Sequence, residues 1–219
     1  MRGAARVVAA AEVGFADLHG STTIGRDLLA ADLRSKGSLE VGGSCRVSGR
    51  LRLGGSGRFD GPLRAAELDS SGRLDVGGDL EVEGAARIRG RAAVRGGLSA
   101  GPLELDGELI VTGTITARSL TGFLEGASRT GAIRADTVDL RRRSPRLPPW
   151  KPAGTLHTLR IEAHEARLEG VTVEFLRADQ IDLGPECRVA RWEGTLRSTH
   201  RSARLGPSSI SVPPPGLNR

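Results

Sequence analysis

Apolar residues along this chain recur in pairs two apart: 28/30, 33/35, 39/41, 45/47, 51/53 and 57/59, restarting at 63/65. A spacing of two is the period of a β-strand with one buried face. Carried through to 138/140, the pattern defines 40 inward positions, of which only Ser35, Gly57, Ser70, Thr121 and Arg129 are not apolar. Val41, Val47, Leu53, Phe59, Val76, Val82, Ile88, Val94 and Val111 are among the inward set. Glycine pairs at 42–43, 54–55, 77–78 and 96–97 fall between the apolar pairs, where tight bends call for positive φ. A helix needs spacings of three and four and does not tolerate so much glycine.

The pairs are organised in a repeat. "GSLEVGGSCRVSG" at 37–49 returns as "GRLDVGGDLEVEG" at 72–84 and as "GELIVTGTITARS" at 107–119, each 35 residues on. Unit starts at 28, 45, 63, 80, 98, 115 and 133 split that period into alternating steps of 17 and 18. Each step holds three pairs, hence three short strands per coil. The fold class predicted is all-β, a triangular parallel β-helix with coils stacked roughly 4.8 Å apart. About seven coils fit between residues 16 and 140, a rod on the order of 30 Å long by that spacing.

The pattern then breaks. "RRRSPRLPPWKPAG" at 141–154 combines charge and four prolines, a composition that cannot extend a ladder. Tighter pairs follow at 161/163, 166/168, 171/173, 176/178 and 181/183, and all ten positions are apolar. The resulting organisation is an N-terminal segment at 1–14, a β-helix at 15–140 and a basic Pro-rich linker at 141–154. A second, smaller β-solenoid occupies 155–206 and fades after Trp192; a tail at 207–219 reads as disordered. Within the first segment, "AARVVAAAEV" predicts a short helix capping the first coil.

Composition narrows the chemistry. The net charge of +6 is local: residues 141–160 carry six Arg or Lys and no acid, and the remainder balances at 26 basic against 26 acidic residues. With four Phe, two Trp and no Tyr, nucleic-acid binding is disfavoured. The linker reads first as a tether. Arg141, Arg142, Arg143, Arg146, Trp150 and Lys151 form the candidate contact for lipid headgroups or other anions. No apolar run approaches a membrane span and the start has no signal-peptide pattern, so the expected compartment is the cytoplasm. Cys45 falls in an inward slot and Cys187 is read the same way, as small core hydrophobes rather than nucleophiles. "GGSGRFDG" at 54–61 lacks the following helix and the Gly-Lys-Ser/Thr of a phosphate loop. His19, His157, His164 and His200 do not supply the three converging ligands of a catalytic zinc. No cofactor, metal or catalytic residue is expected, and the enzyme reading, a hexapeptide-repeat type on the same solenoid, is the alternative together with a non-polymerising scaffold.

Two stretches carry a resemblance to a known family. "SRTGAIRADTVDLRRR" at 128–143 resembles the exit from the first solenoid of the bactofilins, polymer-forming cytoskeletal proteins of bacteria. "IEAHEARLEGVTVEFLRADQIDLGPECRV" at 161–189 is similar to the distal segment of their two-solenoid, Gram-positive-type branch. It includes the turn Leu183-Gly184-Pro185-Glu186-Cys187, with Glu186 where that family usually has glycine. The resemblance spans about residues 15–206. It implies a right-handed solenoid, nucleotide-free assembly into non-polar filaments, and a cytoskeletal role in cell shape, envelope organisation or motility. The partners implied are the chain itself and peripheral membrane or envelope proteins.

Physics favours assembly independently. The end coils of a solenoid expose unpaired strand edges and a slice of apolar core unless something caps them. The residues expected at such contacts are Phe15 and Leu18 at the N-terminal end and Trp192 at the other.

Overall fold

The computed structural model describes residues 2–7, 9–143 and 154–208. It is all-β, a parallel β-solenoid of about 11 turns. Its elements are β1 (Arg2–Val7), β2 (Ala11–Ile24), β3 (Leu28–Val41), β4 (Cys45–Phe59), β5 (Leu63–Val76), β6 (Leu80–Val82) and β7 (Ala86–Val94). There follow β8 (Leu98–Leu124), β9 (Ala127–Arg142), β10 (Thr155–Leu168), β11 (Val171–Leu183), β12 (Arg188–Thr199) and β13 (Arg204–Leu205). Most elements traverse three faces, because pairing with the neighbouring coil continues across the corners.

Register follows the predicted steps. Leu28 pairs with Cys45, Cys45 with Leu63, Leu63 with Leu80 and Leu80 with Leu98. Each apolar pair therefore lies on the pair of the coil before it, and one continuous core runs from Ile24 to Val189. All nine of the inward residues named from the sequence, from Val41 to Val111, are buried. A fully buried Leu, Val or Phe contributes roughly 1.5–3 kcal/mol, so columns of them dominate the stability of the rod.

The outward positions form columns too. Arg64 pairs with Glu81 at 2.9 Å, Arg87 with Glu104 at 2.8 Å, and Arg134 with Glu162 at 3.0 Å. Such exposed pairs contribute little energy each. They do oppose slippage, because a shift by one residue would replace attraction with unmatched neighbours.

Several expectations need correction. The helix expected over 4–13 is absent: β1 lies parallel to β2, from Arg2 on His19 to Val7 on Ile24, so the ladder satisfies its backbone. Near the end of β8 the inward slots are not 121/123 and 127/129. Leu120 and Leu124 point inward instead, followed by Ser128 and Thr130, while Phe123 is 42% exposed. The predicted phase would have buried Arg129 without a partner, which costs several kcal/mol. Ser128 and Thr130 are cheaper occupants because each finds a bond: Leu109 N–H donates to Ser128 Oγ at 3.0 Å, and Thr130 Oγ1 donates to the Ala132 carbonyl at 3.2 Å.

The glycine pairs also work differently from the expectation. Of the eight residues in those pairs only Gly55 has positive φ. At Gly77 the requirement is closeness: an added Cβ would lie 2.2 Å from the Asp60 carbonyl oxygen. Six of the positive-φ glycines, Gly20, Gly37, Gly55, Gly72, Gly90 and Gly107, stack in a column of their own register, one per coil.

The segment after the linker is a β-solenoid, as its pairs predict, and it continues the ladder of the first. Ile133 pairs with Ile161, Ile161 with Leu176, and Leu176 with Trp192. Coils here advance by 15 or 16 residues, because the step from one apolar pair to the next is five residues where in the first segment it is mostly six. The break is also narrower than 141–154: β9 runs to Arg142, and β10 begins at Thr155. Residues 144–153 lie outside the described residues. So do 209–219 of the expected tail, whereas Ser208 still bridges to Trp192.

Candidate functional site: the two ends of the solenoid

The candidate self-assembly surface lies where the ladder stops. At the N-terminal end β1 covers β2 over His19–Ile24 only. Over Ala11–Leu18 the outer edge of β2 has no strand beside it among the described residues. The side chains behind that edge, Ala11, Val13, Ala16 and Leu18, pack on the core yet stay half-buried. Leu18 lies in register over Ser35, and Ala16 over Leu33. Two of the three faces thus end in an uncovered apolar slice, the sheet edge that soluble β-proteins ordinarily blunt.

Phe15 behaves differently from its neighbour Leu18. It is 69% exposed, and its ring lines an open groove along the side of the rod with Asp32, Arg34, Arg50 and Glu67. The structure therefore separates the two N-terminal candidates: Leu18 belongs to the end slice and Phe15 to the flank. The sequence singled out Phe15 for its aromatic character. Its outward phase was legible, since Ala16 and Leu18 are the pair two apart.

At the other end Trp192 occupies an inward slot over Leu176. It is half-buried, and its Nε1–H donates to the Gly206 carbonyl at 3.3 Å. β13 covers β12 at Arg188 and Val189 alone. The C-terminal slice is thus partly closed by the chain itself, over Trp192 and Val189, and open over Glu193–Thr199 among the described residues.

The basic candidates are engaged. Arg141 makes two bonds to Asp139, both 2.9 Å. Arg142 reaches Glu186 at 2.9 Å, and its backbone N–H donates to Glu169 at 3.0 Å. Arg143 spans Asp106, at 3.0 Å, and Glu125. Arg142 and Arg143 thus tie coils together, Arg141 pairs within its own strand, and the charge of all three is matched locally. Arg146, Trp150 and Lys151 lie outside the described residues. Glu186 has φ +55°, the one non-glycine with positive φ among the described residues. The turn that resembles a glycine-bearing one is therefore kept in left-handed geometry. Its amide donates to Ser202 Oγ at 3.1 Å, and its carboxylate meets Arg142.

The remaining chemistry is dispersed. His164 pairs with Asp179 at 2.8 Å on the surface, and the hydrogen bond and charge of that carboxylate raise its pKa. His19 sits beside Asp17 and His200 beside Ser202. Among the described residues no group of three or more His, Cys, Asp or Glu side chains is placed to hold a metal, and no helix is long and apolar enough to cross a membrane.

Both cysteines are buried and unpaired with each other. Burial pushes the Cys45 thiol up to about 12. Burial also raises Cys187, whose Sγ–H donates to the Leu168 carbonyl at 3.0 Å. Because the thiolate is the reactive species, neither should react with an aromatic disulfide reagent in the native protein. Both should react stoichiometrically in denaturant. Modification of either in the native state at the rate of a free thiol would show that its slot opens.

No protein-family model, curated protein or solved structure matches the chain.

Proposed function

We propose that this chain is a structural protein that self-assembles end to end without nucleotide, acting as a cytoskeletal scaffold. The observation that carries the reading is the uncovered N-terminal slice, with Ala11, Val13, Ala16 and Leu18 half-buried behind a strand edge that has no neighbour among the described residues. A second copy is the natural cover for such a surface. It offers the same strand period, the same coil cross-section and an apolar slice of the same size. Contacts between like ends are isologous and give assemblies without polarity; contacts between unlike ends give polar ones. The resemblance of 128–143 and 161–189 to the bactofilins supports the first arrangement and a place in shaping the cell or its envelope. The reading includes no catalytic step. It also builds no membrane contact on Arg141–Arg143: Arg141 is matched by Asp139 on its own strand, and Arg142 and Arg143 by acids on other coils.

Sedimentation and negative-stain microscopy of the purified chain without nucleotide test this. The expected result is concentration-dependent assembly into filaments of rod-like units. A chain that stays monomeric up to its solubility limit, with or without nucleotide, overturns the reading and leaves a non-polymerising scaffold.

A further inference from the structure

We propose that the distal part of one side of the rod is a docking surface for an acidic, extended segment of a partner protein, held by Arg129, Arg188, Arg191 and Arg204. The argument starts from register. Arg129 pairs with His157, His157 with Thr172, Thr172 with Arg188, and Arg188 with Arg204. From Arg129 to Arg188 each of these residues is flanked by buried ones, so the column points outward on successive coils. Before Arg129 it continues through Ile110 and Ala93. From Ala93 to Arg204 the column therefore holds no acid.

Elsewhere the rod balances such columns. Arg64 faces Glu81 and Arg87 faces Glu104. The stacked pair Arg34 and Arg52 has Asp17 before it and Asp69 after it in the same column. Like charges side by side on neighbouring strands are destabilising, and Arg188 beside Arg204 has no such compensation. None of Arg129, Arg188, Arg191 and Arg204 has an ion pair or side-chain hydrogen bond among the described residues. Residues 144–153 and 209–219 contain no Asp or Glu, so they bring no side-chain carboxylate to the column. The missing anion has to come from another molecule.

The surroundings select its kind. On the adjoining corner Leu159 is 59% exposed, and Phe175 lies in register between Arg160 and Arg191. Glu174 stands exposed on the same corner, so a flat anionic bilayer that reached the arginines would meet this carboxylate too. A nucleic-acid strand gains from aromatic faces on which its bases stack, but Arg160 already lies over the Phe175 ring at 5.0 Å. An extended peptide is narrow enough to follow the column and pass Glu174. Arginine grips its carboxylates through two parallel N–H bonds. With coils about 4.8 Å apart and peptide residues about 3.3 Å apart, Arg129 and Arg188 are spaced by roughly four peptide residues. Acids at such a spacing meet both, and Leu159 offers an apolar contact beside them. This surface lies along the rod and leaves both ends free, so it stands whether or not the chain assembles.

Fluorescence anisotropy of the full chain with a short labelled peptide, glutamates around one central leucine, tests the surface. Binding should saturate, weaken as salt is raised, and vanish when glutamine replaces glutamate in the peptide. Arg188→Glu/Arg204→Glu should weaken it at least about tenfold. Arg34→Glu/Arg52→Glu makes the same change of net charge on a remote part of the rod and should leave binding within about twofold, because distant charges are screened. A chain that does not bind the glutamate peptide overturns the proposal, and so do equal losses in the two double variants, which leave net charge alone as the cause. Tighter binding of phosphatidylglycerol vesicles or oligothymidylate than of the peptide, lost in Arg188→Glu/Arg204→Glu, also overturns it, because the strip then takes that polyanion instead. Arg204→Glu alone separates docking from a structural role. It sets attraction where two arginines now repel, so the urea midpoint should rise while peptide binding falls. A lower midpoint would mean that Arg204 serves the fold, and the case for a docking surface would fail.

Discussion

Replacing Gly72 by valine is expected to cost roughly 3 kcal/mol or more, from strain and displaced backbone together, and to cut the cooperative unfolding of the rod in two. Gly72 has φ +122°, a conformation that side-chain-bearing residues rarely adopt. A Cβ there would also lie 2.2 Å from the carbonyl oxygen of Gly55 in the coil below. Neither problem has a local escape. Gly55 is fixed by Gly37 beneath it in the same way, and Gly90 rests on Gly72 from above. To admit a side chain, the coils must part or the corner must refold, and either breaks hydrogen bonds to both neighbours.

The expected signature is specific to a stacked fold. In a quasi-one-dimensional array each coil is stabilised by the two beside it, so a weak interface in the middle decouples the halves. Urea denaturation followed by circular dichroism should show a lower midpoint with a shallower, two-step transition. Gly14 is the control, since nothing lies within 4 Å of an added Cβ there and its φ is not positive. Gly14→Ala should leave the transition in place. Equal losses from both substitutions would mean that general loop entropy, not the glycine column, sets the cost.

The contrast between those glycines explains what the sequence could disclose. Pairs such as Val41, Val47 and Leu53 announce their direction, because side-chain alternation is a local property of extended backbone. That made the coil lengths legible, including the steps of 17 and 18. The role of a glycine is set by what lies one coil away. Gly77 and Gly72 both sit against a neighbouring carbonyl, yet only Gly72 adopts positive φ. Phase within a single apolar-poor stretch was also hidden. Between Ala117 and Ile133 the pattern admits two alternatives, and only the burial cost of Arg129 selects between them. Likewise, "AARVVAAAEV" has good helical composition, but a sheet edge waiting at His19–Ile24 offers its backbone a ladder. Tertiary pairing outweighed propensity there. The continuity of the two solenoid segments was illegible for a related reason: Ile133 and Ile161 are 28 residues apart, a step that matches neither coil length.

Leu18→Arg is expected to abolish assembly while leaving the fold intact, and Phe15→Arg to leave assembly in place. In the monomer Leu18 is only half-buried at the end of the rod, so an arginine there can run its stem along the apolar slice and keep its guanidinium in water. Among the described residues the terminal coil has a neighbour on one side only over this face, so little of the interior depends on it. Covering that end with a second copy removes the escape. The charge would be trapped between two apolar slices, at a cost of roughly 3 kcal/mol or more, which is on the order of a hundredfold in association. Phe15 projects from the flank, 69% exposed, beside a groove of mixed charge lined by Asp32, Glu67, Arg34, Arg50 and Arg52, where an added cation stays in water. Sedimentation of the two variants, with circular dichroism to show that both are folded, separates end contact from side contact. Should Phe15→Arg dissolve the assemblies while Leu18→Arg forms them, the rods associate through the flank groove and the uncovered slice is not the contact. Loss in both would place the interface across the corner that joins the slice to the groove, with the neighbouring copy offset from the axis of the rod.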